Sequence, residues 1–222
     1  ANLPDLQIVA AYDPDAGRAA TLAAKAGAGI EASVDALLAR GDVSVVYVGV
    51  PHHLLAGYVE KALLAGKHVL AEKPLALEPA DALRLGYLAR ARRLKLSVFF
   101  ELRRSGTVEA ARRLVADGAI GLPRFVRIRT LIDKRLDYWG APGALNWRAR
   151  LLEAGGGVVM MNSIHQLDTL RYVTGLDYVS AMGTIATITA PGEVEDTASA
   201  TLRLSGGAMA SLVAAAHSPG AR

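Results

Sequence analysis

The chain has 222 residues, no cysteine and a formal net charge of +4. The missing cysteines exclude disulfides, thiolate metal sites and a cysteine nucleophile, and the length suffices for one large α/β domain or two small ones, each with its own core. No apolar run reaches about 18 residues, and the opening Ala1 to Asp5 stretch lacks the basic and apolar parts of a signal peptide, so neither a membrane span nor export is expected.

These features suit a cytoplasmic protein. The basic residues are scattered or, like Arg90, Arg92, Arg93 and Lys95, gathered near a helix end where they complement its dipole, so no nucleic-acid partner is expected.

Leu6 to Tyr12 reads as a strand ending at Asp13-Pro14-Asp15. Ala19, Leu22, Ala23 and Ala26 then recur at helical spacing up to Gly27, a C-cap residue. Val43 to Val50 is almost continuously apolar and stops at Pro51, the pattern of a strand buried on both faces of a parallel sheet. Leu55, Val59, Ala62 and Leu63 mark the next helix, ending at Gly66. His68 to Ala71 follows as a strand, Pro79 to Arg93 as a helix, and Leu96 to Phe100 as a strand. The β-α-β-α order predicts a Rossmann-like, doubly wound parallel sheet over residues 1–120, because parallel neighbours need a crossover.

After Gly118-Ala119-Ile120-Gly121 the pattern changes. Phe125 to Leu131 reads as a strand, and a loop with Gly and Trp leads to a helix from Val158 to about Thr174. Tyr178 to Thr189 and Ala198 to Leu204 read as strands, and Ser205-Gly206-Gly207 turns into Ala208 to Ala216. Residues 121–222 are therefore expected to form a second, α+β domain with an open, mainly antiparallel sheet.

In an open parallel sheet, ligands bind beyond the carboxyl ends of the strands. Asp13 stands where a carboxylate accepts the ribose hydroxyls of a dinucleotide, or else starts a turn. Pro14 and Asp15 offer no arginine for a 2′-phosphate, which favours NAD over NADP. Pro51, His52 and His53 either line a nucleotide or cap a helix; no Cys, Asp or Glu at ligand spacing makes them a metal site. Glu72, Lys73 and Pro74 place a charged pair directly after an apolar strand, with Lys73 directed over the cleft.

Gly155-Gly156-Gly157 precedes the helix carrying Met161, His165, Asp168 and Tyr172, which share one face at steps of four, three and four. His165 and Asp168 are thus expected to touch, giving either a base tuned by a carboxylate or a purely structural tie. No nucleophile elbow or Walker loop supports hydrolysis or phosphoryl transfer.

Taken in order, Ala11 to Asp15, Val50 to His53, Gly66 to Ala76, Arg103-Arg104, Trp147-Arg148, Gly155 to Gly157, His165 to Asp168 and Glu195 to Thr197 resemble the Gfo/Idh/MocA oxidoreductase family, most specifically in the Gly-Lys-His-Val-Leu-Ala-Glu-Lys-Pro segment. The resemblance implies an N-terminal Rossmann domain binding NAD(P) and a C-terminal domain whose sheet faces the nicotinamide and joins subunits into a dimer or tetramer. It implies hydride transfer between the cofactor and a secondary alcohol of a sugar or cyclitol. Lys73 inherits contact with substrate and cofactor, and His165 the acid/base role. Arg148, Asn162 and Asp168 are candidate substrate contacts, and Arg104 a candidate at the cofactor cleft.

Three departures stand out. A first strand with a G-x-G-x-x-G turn is expected before Ala1, further strands are expected after Arg222, and Met161 occupies a position where the family commonly carries Asp or Asn. Two rival readings follow: NAD-assisted glycosidic cleavage, and a non-catalytic binding or regulatory protein.

Overall fold

The computed structural model describes residues 6–134, 136–141 and 143–220; Ala1 to Asp5 and Arg222, on which the leader and chain-end expectations bear, lie outside them. Among the described residues no helix is long and apolar enough to cross a membrane.

The first half alternates strand and helix: β1 (Ala10–Ala11), α1 (Ala16–Ala26), β2 (Gly29–Ile30), α2 (Val34–Ala39), β3 (Val45–Val48), α3 (His52–Leu64), β4 (His68–Ala71), α4 (Pro79–Ala91) and β5 (Leu96–Val98). Helix α1 begins where the Asp15 carboxylate accepts from the Arg18 amide and ends at Gly27 in the left-handed region. Strands β3, β4 and β5 pair in parallel in that order. Leu55, Val59, Leu63, Val69 and Leu85 form the core between this sheet and α3 and α4.

Two expectations need correction. The β3 segment is buried on one face only, with Val45 50% and Tyr47 56% exposed, because among the described residues its packed helices lie on a single side. The apolar stretch from Leu6 forms a strand only at Ala10–Ala11, where β2 offers hydrogen-bonding groups; β1 and β2 make a separate parallel pair. Neither β2 nor α2 carries enough apolar periodicity to be read from sequence.

The Gly-Lys-His part of the most specific motif is structural. Lys67 Nζ donates to the carbonyls of Arg40 and Val43, at 2.6 and 2.8 Å, and His68 Nδ1 accepts from the Lys95 amide at 2.9 Å. These bonds lock β4 against its neighbours and fix where the strand releases Glu72 and Lys73.

A short 3-10 turn (Glu101–Arg104) and α5 (Gly106–Ala116) lead to the second half. Its elements are β6 (Phe125–Leu131), α6 (Leu136–Trp139), β7 (Gly140–Ala141), β8 (Ala144–Leu145), a 3-10 turn at Trp147–Ala149, α7 (Leu151–Ala154), a π-helical stretch (Val159–Ser163), α8 (Ile164–Thr174), β9 (Tyr178–Ala186), β10 (Thr197–Leu204) and β11 (Met209–Ala215). The main sheet has the order β6-β11-β10-β9, with only the β6–β11 pair parallel. The hairpin between β10 and β11 turns at Gly206 and Gly207, both at positive φ. Ile128, Leu202 and Leu212 on the sheet pack against Leu170 of α8. Helix α5 lies on α8, with the Arg112 guanidinium 4.1 Å from the centre of the Tyr172 ring.

Glu195 holds the approach to the π-helical stretch, and Asp196 the loop before β10. The Glu195 carboxylate accepts from the amides of Gly157, at 2.6 Å, and Val159, at 3.0 Å, while its carbonyl accepts from Val158. Burial by itself would raise the Asp196 carboxyl; amides of Thr189, Ile188 and Ala190 and the Thr197 hydroxyl outweigh it and hold the group well below the usual carboxylate range. A Cβ on Gly157 would lie 1.7 Å from the Glu195 carbonyl oxygen, so only glycine fits. Gly157→Ala is expected to destabilise the fold by about 3 kcal/mol or more, since backbone must move; an unchanged denaturation midpoint would contradict this packing.

His52 ties the two halves. Its Nδ1 lies 2.7 Å from the Ala154 carbonyl, to which it donates as Nδ1–H, and its ring meets Trp147 edge-on at 4.7 Å. Burial pushes the imidazole down to about 4. The unfolded chain therefore takes up a proton near pH 6.5 that the folded chain refuses until about 4, so stability falls as pH drops through that window, by up to about 3 kcal/mol. Thermal unfolding between pH 7 and 4.5 should show this loss, and His52→Gln should flatten it.

Candidate active site

Lys73 leaves the carboxyl end of β4 and reaches across to the second half, where Nζ donates to the Met161 carbonyl at 2.7 Å. Burial pushes the ammonium down from its ordinary value, and Glu72 and Glu101 oppose that shift. Glu72 does not pair with the ammonium directly. One of its oxygens accepts from the Tyr47 hydroxyl at 2.7 Å and the other from the Lys73 amide at 3.2 Å. The carboxylate thus orients the backbone from which Lys73 projects, and the Lys73–Pro74 peptide that follows is cis.

His165 lies in the first turn of α8, one turn beyond Met161. The wider π-helical stretch before it, a feature with no sequence signal, gives the helix a locally different face. Met161 turns its side chain into the core beside Trp139 and Val158, with Sδ accepting from the Tyr138 hydroxyl at 3.1 Å, while its carbonyl meets Lys73. At the position where this chain departs from the family's common Asp or Asn, it is the backbone carbonyl that accepts from Lys73.

The expected His165–Asp168 pair does not form. Asp168 receives both arms of the Arg103 guanidinium, one at 2.7 Å and the other shorter. The carboxylate facing His165 is Glu101, whose Oε2 lies 3.5 Å from Nδ1; that nitrogen is buried without a hydrogen-bond partner. Helical spacing correctly places residues 165 and 168 on one side, but it does not register that the turn after β5 delivers Arg103 to one and Glu101 to the other. Burial lowers the His165 pKa, Glu101 works against this, and Lys73 adds to it. Phe100 packs edge-on to the imidazole at 6.1 Å between ring centres.

The other predicted residues distribute unevenly. Arg104, expected at the cleft, is 85% exposed at its side chain and pairs with Glu109 at 3.4 Å; its neighbour Arg103 is the one that faces α8. His53 Nδ1 lies 3.3 Å from the Glu153 carbonyl on an exposed face, and Pro51 caps α3. Asn162, half-buried, makes no side-chain hydrogen bond among the described residues. Arg148 stacks its guanidinium 4.7 Å from the Trp147 ring and 5.2 Å from the Tyr138 ring. Glu101, Lys134 and Tyr138 were missed. Glu101 and Lys134 lie just past the carboxyl ends of β5 and β6, so the strand-end rule that selects Lys73 also selects them.

The donor set suits the two ends of a nicotinamide dinucleotide. Asp13 uses Oδ1 to accept from the Asp15 amide at 2.8 Å, which leaves Oδ2 for a ribose diol. The nearby Arg18 is engaged with Asp15 at 3.5 Å. At the other end, Pro51 and the Glu72 to Pro74 segment border the carboxyl ends of β3 and β4, and Lys73 reaches from there to the turn before His165, whose Nδ1 is buried and unpartnered. Among the described residues no parallel strand runs into a glycine-rich turn opening a helix, the element that cradles a pyrophosphate.

Comparison with known proteins agrees with this geometry. Residues 1–100 match the model of an oxidoreductase family with an NAD-binding Rossmann fold, and residues 108–222 match the GFO/IDH/MocA C-terminal domain. A 1,5-anhydro-D-fructose reductase from Ensifer adhaerens is 34% identical over 177 residues, covering 79% of this chain and 51% of that protein. Among solved structures, an oxidoreductase domain protein from Kribbella flavida superposes with a TM-score of 0.89 at 32% identity, over 97% of this chain and 60% of that one. The WlbA dehydrogenase from Bordetella pertussis, solved with NADH and UDP-GlcNAcA, gives 0.88 at 25%, over 96% and 60%. The chain spans about half the length of the curated relative and three-fifths of these solved chains. Two parallel-strand ends meeting a glycine-bounded helix, together with both family matches, establish that the chain belongs to the Gfo/Idh/MocA oxidoreductase family.

Proposed function

We propose that the protein is an NAD-dependent oxidoreductase acting on a secondary alcohol of a sugar or cyclitol. The observation that carries this reading is the convergence of the Lys73 ammonium and the His165 imidazole on a single helical turn, one from each half of the chain. When bound, the nicotinamide supplies or accepts the hydride. Asp13 is the residue to hold its ribose, and Pro51, Glu72 and Pro74 border its reactive end.

The remaining chemistry belongs to the chain. Burial keeps His165 neutral near pH 7. With Glu101 facing Nδ1, the ring proton is favoured on that nitrogen, leaving the Nε2 lone pair to take the hydroxyl proton. Lys73 has two further N–H donors beyond the one on Met161, and these stabilise the alkoxide as it forms. In the reducing direction His165 returns the proton. Arg148 and Asn162 are available to fix the hydroxyls of the substrate. Oligomerisation through the second sheet is supported by β9, whose Val179, Met182 and Ile185 are 64, 81 and 70% exposed.

Lys73→Met should lower kcat at least about 100-fold with little change in NAD affinity, since it removes charge stabilisation that matters in the transition state. NADH absorbance with a panel of polyols, alongside NAD titration by fluorescence, checks both; unimpaired turnover would remove Lys73 from the reaction. Glu101→Gln deletes the charge that favours imidazolium, so the His165 pKa falls further and the acidic limb of the rate profile moves to lower pH. A profile that stays in place would leave Glu101 without influence on the base.

A further inference from the structure

Lys134 and Arg148 form a second cationic pair, and neither takes part in the proton or hydride transfer described above, where Arg148 serves only as a contact for substrate hydroxyls. Lys134 follows β6, where its amide donates to the Ala216 carbonyl at 2.7 Å and extends the strand ladder. Arg148 lies in the turn at Trp147–Ala149, its amide held by the Asn146 side chain at 2.9 Å. Both backbone positions are therefore fixed. Both side chains are half-buried and lie on the same ring, the Lys134 Nζ at 4.2 Å and the Arg148 Cζ at 5.2 Å from the centre of Tyr138.

The Tyr138 hydroxyl donates to Met161, whose carbonyl holds Lys73. Three cations thus surround one tyrosine and one methionine. The half-buried Arg40 is neutralised by Glu31 and Asp42, and even the more exposed Arg103 by Asp168. By contrast, no ion pair links Lys134 or Arg148 to a carboxylate among the described residues. Glu72 and Glu101, the acids nearest Lys73, are held by Tyr47 and directed to His165 respectively. Stacking on the Tyr138 and Trp147 rings recovers only part of the cost of bringing two like charges out of water. An anion seated between them would remove that repulsion. Burial and Arg148 both push the Lys134 ammonium down from its ordinary value, in keeping with a cation that lacks its counter-ion.

We propose that Lys134 and Arg148 bind an anionic oxygen group, a carboxylate or a phosphate, carried by the substrate, so that the alcohol oxidised at Lys73 and His165 belongs to an acidic rather than a neutral sugar or cyclitol. This deepens the reading given under Proposed function and rests on it.

The test compares matched probes by calorimetry: D-glucuronate against its neutral methyl ester, and D-glucose 6-phosphate against D-glucose. At least one acidic probe should bind about tenfold or more tightly than its neutral partner at low ionic strength, with the advantage shrinking in about 0.5 M salt. Which pair shows the preference identifies carboxylate or phosphate as the group. Lys134→Gln should reduce that preference severalfold and Lys134→Arg should restore it. The salt dependence of the unaltered protein gives the same answer if a variant fails to fold.

Equal binding within both pairs, absence of binding by every acidic probe, or a preference unmoved by Lys134→Gln would each overturn the proposal. The binding measurement needs no turnover, which separates its failure from that of the dehydrogenase reading. Acid preference without NADH formation from any alcohol would sink the latter alone, and NADH formed equally well from acidic and neutral partners would sink the former alone.

Discussion

The hydrogen bond from Lys73 Nζ to the Met161 carbonyl is the contact on which the site depends. It joins the end of a parallel strand in one half to the turn before His165 in the other. A partly buried ammonium needs an acceptor, and backbone carbonyls inside a regular α-helix are already committed to the residue four positions on. The π-helical stretch at Val159–Ser163 disturbs that regular pattern at the point where the lysine arrives. The lysine is consequently held by a backbone oxygen rather than by a carboxylate, and two of its three N–H donors are not engaged by Met161.

Around this bond the acidic side chains are divided among separate tasks. Glu72 orients backbone through Tyr47 and the Lys73 amide, Asp168 is taken by Arg103, and Glu195 and Asp196 satisfy amides at the start of the helix and in the loop before β10. Only Glu101 faces the imidazole. Because Asp168 is saturated by a guanidinium, its influence on His165 is weakened, whereas the more exposed Glu101 faces Nδ1 at 3.5 Å. The same partition leaves the Lys134 and Arg148 side of the site positive.

The junction between halves also explains why residues with a catalytic look serve as fasteners. His52 and His53 follow the strand that points at the crevice, yet their Nδ1 atoms engage the carbonyls of Ala154 and Glu153. Lys67 and His68, inside the most recognisable motif, cross-link strands. Such residues bear on the site as directly as its lining does, since a misplaced β4 would misplace Lys73.

The alternation of strands and helices, the hairpin at Ser205 to Gly207, the cap at Gly27, and the candidacy of Lys73, just past a strand, were legible in the sequence alone, while the proposed role of His165 came with the family resemblance. These follow from local rules: the period of apolar residues, the φ demanded by a turn, and the position just past a strand. Tertiary structure decided the rest. It paired Asp168 with Arg103, turned Arg104 outward, brought Glu101 to His165 and stacked Lys134 and Arg148 on Tyr138. Each of these joins residues from different elements, and a carboxylate's choice among several cations depends on distances in space that spacing along one helix does not contain.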